Sequence, residues 1–74
     1  MKTSFNSREW TIRAADEVLA MAAAEASKCN MALAAETARC AGRLYRRARL
    51  GLMSSRAYRL ARAFDGRAKG GEQS

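Results

Sequence analysis

The chain has 74 residues, with 14 lysines and arginines against 7 acidic residues, two cysteines, no histidine and no proline. A chain this short forms one domain with a small core. Two cysteines make no disulfide framework, and without histidine a zinc site is not expected. No stretch approaches the roughly 18 uncharged apolar residues of a membrane span, and no apolar run of a signal peptide follows Lys2. The expectation is a soluble, cytoplasmic protein that needs no cofactor. Catalysis is not expected either, because the carboxylates are scattered and no Gly-rich phosphate loop or acid–base pair is present.

Charge divides the chain. Residues 1–36 carry a net charge of −1 and residues 37–74 a net charge of +8, and no acidic residue stands between Thr37 and Phe64. This suggests a near-neutral structural half over 6–36 and an arginine-rich half over 37–65 that meets an anion.

Alanine richness without proline favours an all-α fold. Asn6 with Glu9 three residues on makes a capping box, and Phe5 and Trp10 occupy the staple positions around it. Trp10 reads as fastening this helix end rather than stacking on a ligand. Ile12, Ala15, Leu19, Ala22, Ala26, Cys29 and Leu33 then follow 3-4 spacing, a heptad seam. Glu36 breaks it, and Cys40, Leu44 and Ala48 resume it at four-residue steps. "SKCN" at 27–30 holds poor helix formers but neither Gly nor Pro, and the stripe keeps its phase across it. The spacing therefore predicts one long amphipathic helix over about 7–50, with a break near 27–30 as the alternative.

A continuous helix of about 66 Å cannot fold back on itself. Its seam predicts a homodimer, as a helical bundle or coiled coil. Cys29 and Cys40 read as small core residues, about 16 Å apart on such a helix and outside disulfide reach.

Gly51 suits the left-handed position after a helix end, and Ser54 or Ser55 then caps a short helix over about 54–65. Ala57, Leu60, Ala61 and Phe64 form its apolar stripe, with Arg56, Arg59 and Arg62 on the other side. Asp65-Gly66 reads as its stop, which leaves 1–65 as the domain and 66–74 as a flexible tail.

Arg39, Arg43, Arg46, Arg47 and Arg49 share one broad arc of a helical wheel, opposite Cys40, Ala41, Leu44 and Ala48. Clustered like charges cost stability unless an anion offsets them. Guanidinium is the planar fork that matches phosphate, carboxylate and the guanine edge. Leu50, Gly51, Leu52 and Leu60 resemble a helix-turn-helix motif over about twenty residues, although Arg46 and Arg47 stand where that motif packs apolar and small side chains. The resemblance implies that Ser55, Arg56, Tyr58 and Arg59 face base edges. Tyr58 also reads as a half-buried amphipathic residue, and Tyr45 as one that stacks or packs.

The leading expectation is a small regulatory or accessory DNA-binding protein, its size and composition in a bacterial style, whose arginines neutralise duplex phosphates. RNA is less favoured, because aromatic stacking signals are few. A module that docks its arginine face on an acidic protein surface is the alternative.

Overall fold

The structure is a computed structural model that describes residues 7–73, with side chains to residue 70. Three α-helices occupy the described residues: α1 over Ser7–Ser27, α2 over Met31–Arg47 and α3 over Gly51–Gln73. The all-helical class agrees with the composition. The continuous helix expected over 7–50 does not form; the chain turns at 28–30, as in the alternative reading, and the second helix ends at Arg47, close to the expected end.

Both turns use the same device. Cys29 takes φ 67° and Arg49 φ 65°, left-handed conformations that L-residues seldom adopt. Around the first turn the Cys29 N–H donates to the Ala26 carbonyl and the Asn30 N–H to the Glu25 carbonyl, both at 2.9 Å. Around the second, Arg49 donates to Arg46 and Leu50 to Tyr45, again at 2.9 Å. These are paired 5→2 and 6→1 bonds, a helix ending that usually recruits glycine. Gly51 does not play that part. Among the described residues no glycine has positive φ, and Gly51 is the first residue of α3.

α2 is the centre of the molecule. It packs on α1 and α3, which scarcely meet each other. Tyr45 and Ala48 face α1: the Tyr45 hydroxyl donates to Asp16, and the Ala48 carbonyl accepts from Arg8 Nε at 2.8 Å. Gly42 and Arg39 face α3, where Ser54 Oγ donates to the Gly42 carbonyl at 3.0 Å and Arg39 pairs with Asp65 at 2.9 Å. Contacts from Gly42–Ser54 through Arg39–Asp65 show α2 and α3 lying antiparallel along their lengths. A helix-turn-helix pair crosses at a steep angle and touches near its turn, so the local resemblance does not extend to the geometry.

The core is built mainly of alanine. Ala15, Ala22, Ala34, Ala35, Ala38, Ala41 and Ala57 are fully buried, and Tyr45 is the one large side chain of the described residues buried to the same degree. Small side chains bring helix axes close together, which is why so thin a stripe can be used. The helices approach closely at Gly42, where a methyl group would meet Tyr58 Cε2 at 2.9 Å.

The seam expected to join two chains is used within one. Ala15, Leu19, Ala22 and Ala26 belong to the clusters that α1 forms with α2, and Ile12 is half-buried. Once the chain turns at Cys29, α2 supplies the second helix. Closing a three-residue turn costs less entropy than bringing two chains together. Cys29 and Leu33, the last seam positions, leave the core: Cys29 is exposed in the turn and Leu33 is 49% exposed. Cys40 is also an exposed free thiol, not a core residue. The second half departs likewise, since α3 begins before Ser54 and continues past Asp65-Gly66 to Gln73. The cap at Asn6 and the staple residue Phe5 lie outside the described residues.

Candidate functional site

Arg46, at the end of α2, and Arg49, in the turn, stand on one side of an open groove of about 670 Å³. Arg59 and Arg62, on successive turns of α3, stand on the other. The antiparallel packing of α2 on α3 makes this convergence, because it lays the outward rows of the two helices side by side. Gly51, Ser54, Ser55 and Tyr58 also line it, and no acidic side chain among the described residues contributes.

The electrostatics follow from what is absent around the four arginines. None has an ion-pair or side-chain hydrogen-bond partner among the described residues. Four guanidiniums facing one space repel, and the α3 N-terminus at its edge adds a positive dipole end. Arg46 and Arg47 also complement the negative C-terminal end of α2, which gives them a structural role beside any functional one.

The groove's shape depends on side chains underneath it. Tyr58 lies against Gly42, and the buried Ser54 hydroxyl is bonded to the Gly42 carbonyl. A side chain at position 42 would push Tyr58 outward into the lining. Gly42 is not singled out by the sequence, and Ser54 only as a candidate helix cap. The available signal was a glycine inside an alanine-rich helix, where it costs about 1 kcal/mol and calls for a packing reason.

The structure separates the other expected site residues. Arg39 is held by Asp65 on the far part of α3. Arg43 shares a shallow recess with Glu36, Arg39 and Cys40. Arg47 turns toward the start of α1, beside Arg8 and Trp10. Arg56 is exposed on α3 but does not line the groove. The single arc predicted for residues 39–49 is therefore divided, already within α2: Arg46 joins the groove whereas Arg39, Arg43 and Arg47 line other spaces, and Arg49 lies past the helix end. Ser55, Tyr58, Arg59 and Arg62 do share the groove with Arg46 and Arg49. Tyr45 packs inside at 1% exposure and takes no part in the surface.

Tyr45 has its own electrostatics. Burial, then the hydrogen bond to Asp16 and that residue's charge, push its hydroxyl up to about 12. Among the described residues no group of His, Cys, Asp and Glu is placed to hold a metal ion, and no helix is long and apolar enough to cross a membrane. No known protein family, curated protein or solved structure shows significant similarity to this chain.

Proposed function

We propose that the chain is a small nucleic-acid-binding protein, of regulatory or accessory type, whose arginine groove holds the phosphates of duplex DNA. The observation that carries this reading is the convergence of Arg46, Arg49, Arg59 and Arg62 on one open space without a neighbouring carboxylate. Planar, permanently charged donors on both walls suit a phosphate backbone that passes between them. Phosphate contacts supply affinity and set register, whereas sequence preference needs base contacts. Binding with little sequence preference is the expected behaviour.

The test is a salt titration of binding to a labelled duplex. Four phosphates neutralised give a log–log slope of about −3.6. Replacing Arg46 and Arg59 together by alanine flattens that slope by up to about 2 and weakens all sequences alike. Arg39→Ala is the internal control, since Asp65 already offsets its charge, and it leaves the slope unchanged. Absence of any DNA affinity at low salt overturns the reading and transfers the groove to an acidic protein surface.

A further inference from the structure

Trp10 is the chain's one tryptophan, and it is 58% exposed on the first turn of α1. It lines a second cleft, of about 450 Å³, between the start of α1 and the end of α2. Arg8, Arg47 and Arg49 line the same space, Leu44 and Ala48 contribute apolar surface, and no acidic side chain among the described residues lines it. The cleft is braced, because Arg8 Nε donates to the Ala48 carbonyl at 2.8 Å and ties the first turn of α1 to the end of α2.

Its position gives the cleft meaning. Arg49 lines both this space and the arginine groove, so the two adjoin at the α2–α3 turn. A phosphate alone has no use for an exposed indole, and an apolar peptide has none for three guanidiniums. An unpaired nucleotide uses both, since its base offers a π-face to tryptophan and its phosphates meet arginine. A base inside a duplex is stacked on its neighbours and presents no free face.

We propose that the Trp10 cleft stacks an unpaired base whose flanking phosphates pass Arg49 into the groove, so that the protein favours DNA carrying unpaired nucleotides beside a duplex. The proposal rests on the nucleic-acid reading of the groove.

Three labelled probes test it: a blunt duplex, the same duplex with oligothymidine overhangs, and the same duplex with abasic overhangs of equal charge. Trp10 emission, which reports on one site, is quenched by the thymidine overhang and unchanged by the other two. The thymidine overhang binds about tenfold more tightly than the abasic one, the gain expected of one stacked base. Trp10→Ala removes that difference while keeping blunt-duplex affinity, and Trp10→Phe retains part of it. The emission readout uses the unaltered protein and so does not depend on how a variant folds. Equal affinity for the two overhangs with unchanged emission, while all three probes bind, overturns the proposal and leaves the groove reading intact. If no probe binds at low salt, the groove reading fails and this proposal with it.

Discussion

Tyr45 shows how one side chain sets a property of the whole fold. Its ring fills the alanine core between α1 and α2, and its hydroxyl finds one acceptor, Asp16. The folded state holds the phenolic proton more tightly than an unfolded chain, in which tyrosine titrates near 10, against about 12 here. The stability this confers is complete below pH 10 and is lost as pH rises from 10 to 12. Denaturant unfolding followed across that range should show a steep loss of stability in the native chain. Tyr45→Phe should cost about 1 kcal/mol at neutral pH, for the lost hydrogen bond, and should flatten the alkaline limb. An equally steep limb in the variant would assign the transition to other groups. The sequence shows tyrosines bordering an arginine run, and nothing in it says that Tyr45 turns inward and Tyr58 stays at the surface. That division follows from α2 having helices on two sides.

At the scale of elements, the turns are the least legible feature. A left-handed helix ending is recognised from glycine, yet Cys29 and Arg49 hold that conformation here, and the nearest glycine, Gly51, begins the next helix. Each such residue is strained by about 1 kcal/mol or more. Cys29→Gly should therefore stabilise the protein by about 1 kcal/mol, read as a raised denaturation midpoint with an unchanged slope against denaturant. No gain would mean that the turn is held at no conformational cost. At Arg49 the same strain sits on a residue that lines two clefts, where glycine would relieve the backbone and remove the guanidinium. The extent of α3 was also hidden. Asp65-Gly66 reads as a stop, but Asp65 is engaged by Arg39 and the helix passes through it. Local stop signals are weak beside a partner helix that covers the next turn.

For the molecule as a whole, the question is what covers the α1 seam. With α2 folded against it, one chain satisfies the stripe that otherwise called for a second. Leu19→Asp places a carboxylate against the cluster of Ala15, Ala41, Tyr45 and Ala57, and it should cost about 2 kcal/mol or more. In a domain of this size that is a large share of the total stability. Thermal melts at two protein concentrations should show the same lowered midpoint, as expected of a stripe covered within one chain. A midpoint that rises with concentration would assign the seam to a dimer.

Composition and spacing by themselves determined the all-helical class, the apolar stripe of α1, the acidic-poor arginine half and the four arginines of the groove, whereas Ser55 and Tyr58 came only from the local helix-turn-helix resemblance. Those features are local: helix propensity, 3-4 spacing and net charge are properties of short segments, whatever surrounds them. Only the tertiary structure decided that the stripe is covered from within, that α2 is the central helix, and that Arg46 and Arg49 face Arg59 and Arg62 while Arg39, Arg43, Arg47 and Arg56 point elsewhere. The reason is that a helical wheel places residues around one helix and says nothing of which neighbouring helix covers each row. Two residues in left-handed conformation reverse the chain, and each reversal decides which outward rows become neighbours.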